Sequence, residues 1–483
     1  MSKASGRAQT RFVCQSCGES FLRWEGQCRV CSAWNSLVET RVRAEPRTVR
    51  NESRGGLAGA VSTRLVDVTE PTQRRLAVGI GELDRVLGGG LVPGSVVLVG
   101  GEPGIGKSTL VLQAAAGVAA VVGPERVLYA TGEESASQVR LRAERLGVLA
   151  GPGAAIHVLT ESSIDRIADV ATSGHDAPAL LVVDSIQTAT IDDLDGPAGS
   201  VGQVRGAALR LMELAKPAGI AVVLVGHVTK DGSIAGPKTL EHLVDAVLTL
   251  DGERYASIRL LRATKNRFGS TEEVGVFEMG ETGMSEVADP ARAFLTEHDG
   301  PAPGSVVAPT LEGSRPLLVE VQGLVAPGPG GSPRRTTSGV DANRVSLLVA
   351  VLGRAGIGLA SHDVYVNLAG GLAVDEPGLD LPLALALASS LRNRPIASDT
   401  VAIGEVGLLG ELRSVVGLER RLREAARLGF GRAIVPRPSR GGAIPAVPGL
   451  EVVAVGSLRE AIEAALAPSP ERSRRVAATS ARC

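Results

Sequence analysis

Short runs of apolar residues alternate with stretches of helical periodicity between residues 76 and 285. The runs occur within "SVVLVGGEPGIGKST", "RVLYATGEES", "ALLVVDSIQ" and "GIAVVLVGHV". Strands that are apolar along their whole length are typical of a parallel sheet that helices cover on both faces. We therefore expect an α/β domain over residues 76–285.

The pattern changes on both sides of this domain. Residues 41–75 are polar with little periodicity and are expected to be a linker, and residues 286–300 are expected to be a short connection. Over residues 301–467, strands mix with amphipathic helices such as "ANRVSLLVAVLGRA", which predicts a second, smaller α/β domain. A small module over residues 1–40 and a flexible basic tail over residues 468–483 complete the predicted organisation.

The composition is typical of a chain with two or three domains. A single core rarely grows beyond about 250–300 residues, and this chain has 483. Aromatic residues make up only 2% of the chain, so its cores must be built from Val, Leu, Ile and Ala. No apolar segment resembles a signal peptide or reaches the ~18–20 residues of a membrane span. We expect a chain that stays in the cytoplasm, without disulfides and without a membrane partner.

Charge is balanced over the whole chain but uneven along it. The formal net charge is −1, which by itself predicts no polyanionic partner. Residues 1–75, however, carry thirteen Lys or Arg against seven Asp or Glu, a local charge of about +6. Such basic ends contact nucleic acid in some proteins, although flexible solvated segments are the commoner explanation.

Four cysteines near the N-terminus have the spacing of a zinc site. Cys14, Cys17, Cys28 and Cys31 form the pattern C-x2-C-x10-C-x2-C. Two such knuckles place four thiolates around one ion and leave no open position, which predicts a structural Zn²⁺. Metal binding would supply the folding energy of so short a segment.

Four of the eleven aromatic residues of the chain lie in the same segment: Phe12, Phe21, Trp24 and Trp34. We expect them to form the small core around the metal. The alternative is that they stack on nucleic acid bases.

The sequence "GEPGIGKST" lies between a predicted strand and a predicted helix and fits the phosphate-loop pattern G-x-x-x-x-G-K-[ST]. Its glycines allow backbone amides to close around phosphate at the N-terminus of the helix. Lys107 would reach the β- and γ-phosphates, and Ser108 would hold Mg²⁺. The pattern predicts that ATP binds to nine consecutive residues: Gly101, Glu102, Pro103, Gly104, Ile105, Gly106, Lys107, Ser108 and Thr109.

Polar residues also end other strands of the predicted sheet. Asp184 ends "LLVVDS" and is expected to hold the magnesium ion, although an Asp there is also a common helix N-cap. Glu133 and Glu134 end "LYATGEES" at the carboxyl edge, where ligands of open α/β sheets bind. We expect Glu133 to activate the attacking water; the alternatives are Glu134 and a merely acidic first helical turn. His227, which ends "VVLVGH", is either a γ-phosphate sensor or a core histidine.

Taken in order, the four-cysteine segment, "GEPGIGKST", "TGEES", "VVDSIQT", "GHVTKDGSIAGPKTLEH" and "TKNRFGS" resemble the RadA (Sms) family of bacterial DNA repair proteins. The resemblance covers nearly the whole chain, and "KNRFG" is a signature of that family. Arg29 departs from the usual proline of the second knuckle and leaves the metal ligands intact. The resemblance implies a RecA-like ATPase that forms a homohexameric ring and acts on single-stranded and branched DNA alongside a RecA-type recombinase.

The resemblance also implies roles for basic residues. Two glycine-rich segments, "TIDDLDGPAGSVGQVR" and "TKDGSIAGPKTLEH", correspond to loops that contact DNA, where Lys230 and Lys238 would meet phosphates. Lys265 and Arg267 of "KNRFG" lie in a region that faces the neighbouring subunit's nucleotide in RecA-like rings. They would stabilise phosphate charge in trans, an arrangement worth about 10³–10⁵ in rate in favourable cases. The alternative is a basic hairpin that contacts DNA or solvent.

The C-terminal domain resembles the proteolytic domain of Lon-type proteases. That activity needs a serine nucleophile and a lysine base. Gly378, Leu379 and Asp380 stand where the serine motif would fall, Glu419 matches the lysine position, and residues 301–483 contain no lysine. We expect a Lon-protease-like domain that has lost catalysis and serves as a platform for assembly and DNA binding.

Together these features predict a RecA-like P-loop ATPase core with an N-terminal four-cysteine zinc module and a C-terminal Lon-protease-like α/β domain. The expected function is DNA-dependent ATP hydrolysis in homologous recombination and DNA repair, by a ring-shaped motor that processes or branch-migrates recombination intermediates. The alternatives are a nucleotide-gated scaffold for a recombinase and an ATP-dependent protease. The expected cofactors are ATP, Mg²⁺ and Zn²⁺.

Overall fold

The structure, a computed structural model, divides into two compact units. The first comprises residues 1–251 and 259–286, and the second comprises residues 252–258 and 287–483. The structure describes residues 9–14, 17, 19–42, 64, 66, 74–173, 177–227, 238–252, 257–295, 300–328, 332–371, 373–438 and 442–466. In this described part of the chain, no helix is long and apolar enough to cross a bilayer.

A three-stranded antiparallel sheet surrounds the four cysteines. Its strands are β1 (Gln9–Cys14), β2 (Ser20–Phe21) and β3 (Leu37–Val42), in the order β2-β1-β3. Phe12 pairs with Phe21 across β1 and β2. Both phenylalanines pack with Leu37 against the buried Cys14 and Cys28, as expected from the sequence.

Trp24 and Trp34 do not join this core. They are 55% and 71% exposed, so the expectation that all four aromatic residues are buried around the metal is wrong for these two. The physical reason is size, because strands of two to six residues cannot cover two indole rings as well as the metal ligands.

A nine-stranded sheet forms the body of the first unit. Its strands are β4 (Val96–Gly101), β5 (Val127–Thr131), β6 (His157–Thr160), β7 (Leu180–Asp184), β8 (Ala221–Val225), β9 (Ala246–Asp251), β10 (Ile258–Asn266), β11 (Val274–Gly280) and β12 (Gly283–Glu286). The order across the sheet is β12-β11-β10-β9-β4-β8-β7-β5-β6. Strands β4 to β9 run parallel, whereas β10 is antiparallel to β9 and β11 is antiparallel to β12.

Helices cover both faces of this sheet, as the continuously apolar strands predict. They are α1 (Gly81–Leu87), α2 (Lys107–Val122), α3 (Ala136–Arg145), α4 (Ile164–Thr172), α5 (Val201–Ala218) and α6 (Lys238–Leu243). Val97 and Val99 of β4 belong to one apolar cluster, and Val96 and Leu98 belong to the other. Every residue of β4, β5, β7 and β8 is buried. Because these strands run parallel, their carboxyl ends lie at one edge of the sheet.

The second unit contains a seven-stranded mixed sheet in the order β15-β16-β14-β13-β17-β20-β21 and a small β18-β19 pair. The strands are β13 (Ser305–Glu312), β14 (Arg315–Pro327), β15 (Arg335–Ser338), β16 (His362–Leu368), β17 (Thr400–Ala402), β18 (Glu405–Val406), β19 (Leu412–Arg413), β20 (Arg432–Pro436) and β21 (Glu451–Val455). The helices are α7 (Ala342–Arg354), α8 (Asp380–Arg392), α9 (Leu418–Arg427) and α10 (Leu458–Leu466). Ala291 and Phe294, in the predicted second linker, are buried, and Phe294 bridges to Val319 of β14.

Ion pairs occupy the positions that would carry proteolytic chemistry. Asp380 is 1% exposed; it accepts a 2.6 Å hydrogen bond from Nε of Arg344 and a 3.0 Å bond from the amide of Val406. Glu419 lies on the exposed side of α9 and pairs with Arg423. At these two positions, where the sequence resemblance placed the serine motif and the lysine of a Lon-type protease, the structure has bonded carboxylates.

Candidate active site

The loop between β4 and α2 is the centre of the candidate site. Gly104 and Gly106 have φ angles of 82° and 113°, which favour glycine. A Cβ atom at Gly106 would lie 2.3 Å from Cε of Met279 and 2.4 Å from Cε of Met284, but these are the flexible ends of side chains, so the φ angle is what favours glycine there. Helix α2 begins immediately afterwards, at Lys107, and its N-terminus favours an anion at the loop.

The Lys107 side chain is enclosed by the same loop and is 4% exposed. Its Nζ donates 2.9 Å hydrogen bonds to the carbonyl oxygens of Gly101 and Glu102. It also lies 3.1 Å from Nδ1 of His227. Burial lowers the pKa of Lys107 to about 8, against the opposing effect of nearby carboxylates. A phosphate oxygen would give this ammonium a charged acceptor in place of neutral ones, and charge-assisted bonds are the stronger kind.

Glu133 and Glu134 have different partners. Glu133 accepts a hydrogen bond from Oγ of Ser185, and its Oε1 lies 3.6 Å from Nε2 of His227. The interaction with His227 is the main cause that lowers the pKa of Glu133 to about 2; burial opposes it and the Ser185 hydroxyl adds to it. Glu134 instead pairs with Arg142 of α3. Glu133 is thus the glutamate beside the predicted phosphate-binding residues.

Asp184 lies at the end of β7 and is 5% exposed. The hydroxyl of Tyr129, on the neighbouring β5, donates a 2.6 Å hydrogen bond to Oδ2 of Asp184. Nη1 of Arg142 lies 4.0 Å from the same oxygen. Burial and the charge of Asp184 raise the pKa of Tyr129 well above its ordinary value, so the phenol stays protonated and continues to donate.

Three residues of this site were missed by sequence reasoning: Tyr129, Arg142 and Ser185. A signal existed for Tyr129, because it places a hydroxyl in the otherwise apolar strand "VLYAT". Ser185 directly follows the predicted metal ligand, which was also a usable signal. Arg142 lies on a helix with several arginines, "ASQVRLRAER", and nothing in that pattern singles it out.

Ser108 and Asp184 offer a hydroxyl and a carboxylate oxygen, the hard ligands that Mg²⁺ prefers. Tyr129 and Arg142 both approach Oδ2 of Asp184, an arrangement that fixes the carboxylate at the edge of the sheet. In addition, Oε2 of Glu134 and Nη1 of Arg142 are buried without a hydrogen-bond partner among the described residues. Buried polar atoms of this kind are normally satisfied by water or a ligand. The groups that fit a hydrated magnesium ion are the hydroxyl of Ser108 and the carboxylate of Asp184.

Lys265 and Arg267 lie near the amino ends of the parallel strands, opposite the end that carries the phosphate loop. Lys265 pairs with Val247 near the start of β9, whereas Gly101 pairs with Leu250 near its end. Because β10 runs antiparallel to β9, the "KNRFG" segment, which begins with the last two residues of β10, lies at the end of that strand remote from the phosphate loop. The structure therefore does not bring these two residues together with Lys107 of the same chain.

Both basic residues have partners in their own chain. Nζ of Lys265 donates to three carbonyl oxygens at the end of α6, at 2.6 Å (Glu241), 2.7 Å (Val244) and 3.3 Å (His242). Nη1 of Arg267 lies 3.0 Å from Oδ1 of Asp245. Lys230 is outside the described residues; Lys238 begins α6, but its side chain is outside them as well.

The four cysteine sulfurs converge on one point. The Sγ atoms all lie within 4.8 Å of one another; those of Cys14 and Cys31 are 3.6 Å apart, and those of Cys17 and Cys28 are 3.5 Å apart. A tetrahedron with zinc–sulfur bonds of about 2.3 Å has sulfur–sulfur distances of about 3.8 Å, so the geometry fits Zn²⁺. Burial raises the pKa of the Cys17 thiol, so a thiolate there needs the charge of a metal ion.

Three family models match separate parts of the chain. The model described as a rubredoxin metal binding domain matches residues 12–39. The model described as an AAA domain matches residues 65–233, and the model described as subunit ChlI of Mg-chelatase matches residues 340–439.

Proteins of known name match almost the whole chain. The DNA repair protein RadA of Pseudomonas aeruginosa is 48% identical over 95% of this chain and 99% of that protein. RadA of Halalkalibacterium halodurans is 46% identical over the same shares, and RadA of Escherichia coli is 46% identical over 96% of this chain and 99% of that protein. The chain belongs to the RadA family of DNA repair proteins.

Membership of the RadA family confirms the resemblance predicted from the sequence motifs, and the fold class is confirmed with it. The chain has a RecA-like P-loop ATPase core, an N-terminal four-cysteine zinc module and a C-terminal Lon-protease-like α/β domain. It is a nucleotide-binding ATPase of DNA repair with a zinc-binding module.

Proposed function

We propose that this RadA-family chain assembles into a homohexameric ring, translocates on single-stranded DNA with ATP hydrolysis, and branch-migrates recombination intermediates. The observation that carries the proposal is the separation of the phosphate loop from Lys265 and Arg267 within one chain. Asp245 holds Arg267 and also accepts a hydrogen bond from the amide of Val96. Val96 and Gly101 are the two ends of β4, about 17 Å apart at roughly 3.3 Å per residue.

Each ATP site would therefore combine two protomers. In one protomer Lys107 binds the phosphates, Ser108 and Asp184 hold Mg²⁺, and Glu133 orients the attacking water. When bound, the Mg²⁺ neutralises charge on the phosphate oxygens. The neighbouring protomer supplies Lys265 and Arg267, which stabilise the charge of the transferred phosphoryl group.

The DNA would act on this shared site through the two glycine-rich segments. Nζ of Lys265 bonds the end of α6, and the second segment, residues 229–242, includes most of α6. A displacement of α6 when Lys230 and Lys238 bind phosphates would release Lys265 toward the neighbouring nucleotide. This sequence of contacts supports DNA-stimulated hydrolysis. The relatives are named as DNA repair proteins, which supports recombination intermediates and a RecA-type recombinase as the context.

Mixing two inactive variants tests the shared site. Lys265→Ala should bind ATP but lose most DNA-stimulated hydrolysis, and Lys107→Ala should lose hydrolysis because it cannot grip the phosphates. In rings assembled at random from equal amounts of the two variants, about a quarter of the interfaces would join an intact Lys107 to an intact Lys265. Hydrolysis stimulated by single-stranded DNA should therefore return in the mixture. Lys216→Ala, which removes an exposed lysine near the end of α5, is the matched control and should behave as wild type.

The outcomes separate the alternatives. If the mixture stays inactive, Lys265 acts only within its own chain and the shared site is rejected. If native mass shows a monomer that hydrolyses ATP at one rate with and without single-stranded DNA, the motor is rejected in favour of a nucleotide-gated scaffold.

A further inference from the structure

The zinc module carries an exposed aromatic surface that the ATP site does not use. We propose that Trp24 and Trp34 form a stacking platform for unpaired bases of single-stranded DNA. The inference rests on the proposed action on single-stranded DNA and adds a contact outside the ATPase sheet.

The two indole rings lie next to each other. A Cβ atom on Gly26 would be 3.8 Å from Cζ3 of Trp34 and 4.0 Å from Cη2 of Trp24, so both rings flank one point on the surface. Gly26 has no side chain to fill that point, and the rings are 71% and 55% exposed. The indoles are therefore accessible to a planar ligand.

Backbone hydrogen bonds around the predicted metal ligand Cys28 hold Trp34 in place. Gln27 and Trp34 form an antiparallel bridge, and the amide of Asn35 donates a 2.8 Å hydrogen bond to the carbonyl of Gly26. Within this hairpin the amide of Cys28 donates a 2.9 Å hydrogen bond to the carbonyl of Ala33. A surface that is already ordered loses little conformational freedom when it binds.

Charge favours nucleic acid as the occupant of this surface. Residues 1–75 carry thirteen Lys or Arg against seven Asp or Glu, and Arg23, beside Trp24, is exposed. Proteins that bind single strands without sequence preference combine positive charge for the backbone with aromatic rings for the bases. A protein partner is the competing occupant, because Leu22 and Val30 are also 73% and 63% exposed.

Intrinsic fluorescence tests the proposal without a label, because the chain contains only two tryptophans and both lie on this surface. The full-length, zinc-loaded protein is titrated with oligothymidylate, and the tryptophan emission is expected to fall in a saturable way. Trp24→Leu and Trp34→Leu, which keep apolar bulk but lose the indole, should each weaken binding of a labelled oligothymidylate by about 5- to 150-fold. Trp34→Phe should retain most of the affinity.

Leu22→Ala is the matched control, since it removes an exposed apolar side chain that has no aromatic face. It should leave the affinity for oligothymidylate unchanged. A zinc assay on every variant shows whether the module is still folded. Unquenched tryptophan emission, or full affinity in both Trp→Leu variants, would overturn the stacking platform. If Leu22→Ala lost as much affinity as the Trp variants, the stacking platform would also be overturned.

The same experiment separates this inference from the proposed motor. If DNA still stimulates hydrolysis while the tryptophans are unquenched, only the stacking platform fails. If DNA neither quenches the tryptophans nor stimulates hydrolysis, both fail.

Discussion

The hydrogen bond from Tyr129 to Asp184 makes a direct prediction about the metal. Tyr129→Phe removes one hydroxyl that is fully buried and leaves the ring packing in place. The lost bond is a 2.6 Å contact to Oδ2 of Asp184, and hydrogen bonds to charged groups contribute about 1.5–3 kcal/mol. If the bond holds Asp184 in its metal-binding orientation, the half-saturating Mg²⁺ concentration should rise about 10- to 150-fold.

The lower end of that range is the better expectation. Nη1 of Arg142 lies 4.0 Å from the same oxygen of Asp184 and is buried without a hydrogen-bond partner among the described residues. A small movement would let Arg142 donate in place of the lost hydroxyl. We therefore expect an increase near tenfold, because one donor would partly replace another.

The assay compares nucleotide binding with and without the metal. A fluorescent ATP analogue is titrated in excess EDTA and then over a Mg²⁺ series, and the Mg²⁺ dependence of hydrolysis is measured in parallel. Affinity in EDTA should match wild type, since the hydroxyl that is removed bonds Asp184 and the substitution keeps the ring. Tyr365→Phe, in the second unit, is the control. An unchanged Mg²⁺ dependence, or an equal loss of affinity in EDTA and in Mg²⁺, would refute the positioning role.

Three further predictions concern other groups. The pKa of Lys107 is lowered to about 8. Because only the ammonium form binds phosphate strongly, ATP affinity should fall as the pH rises through about 8. Measuring ATP affinity between pH 7 and pH 9 checks this, and a constant affinity would contradict it. Arg421→Met breaks the buried pair with Glu376 and should lower the free energy of unfolding of the second unit by about 3 kcal/mol. Arg423→Met, which breaks the exposed pair with Glu419, is the control. It should lower the free energy of unfolding by less than about 1 kcal/mol in the same denaturation experiment. Zinc chelation should remove hydrogen-exchange protection from β1 and β3 and leave β4 and β7 protected; retained protection in β1 and β3 would contradict a metal-dependent fold.

The features that sequence reasoning predicted are the ones encoded locally. The phosphate loop and the cysteine knuckles have chemistry that depends on residues a few positions apart, so spacing is enough to find them. The continuously apolar strands likewise predict burial on both faces, and β4, β5, β7 and β8 are buried throughout. Glu133 and Asp184 were found because both end such strands.

The features that sequence reasoning missed depend on the order of strands in space. Tyr129 meets Asp184 because β5 lies beside β7, although 55 residues separate the two in the chain. The contacts of Lys265 with the end of α6 depend on the antiparallel direction of β10, which an apolar pattern does not encode. Trp24 and Trp34 were expected in a core because aromatic residues are usually buried, but a module closed by metal ligands needs only a few apolar side chains.

The three groups around the phosphate loop constrain one another, and this bears on how hydrolysis begins. Lys107 lies 3.1 Å from one ring nitrogen of His227, and Glu133 lies 3.6 Å from the other. A carboxylate whose pKa is about 2 is a weak proton acceptor, and an efficient general base has a pKa closer to the working pH. Under the proposed function, ATP would draw Lys107 toward the phosphates, which would leave His227 able to turn toward the γ-phosphate. Since His227 is the main cause of the low pKa of Glu133, that turn would raise the basicity of Glu133, and under the proposed function the base would become effective only once the substrate is bound.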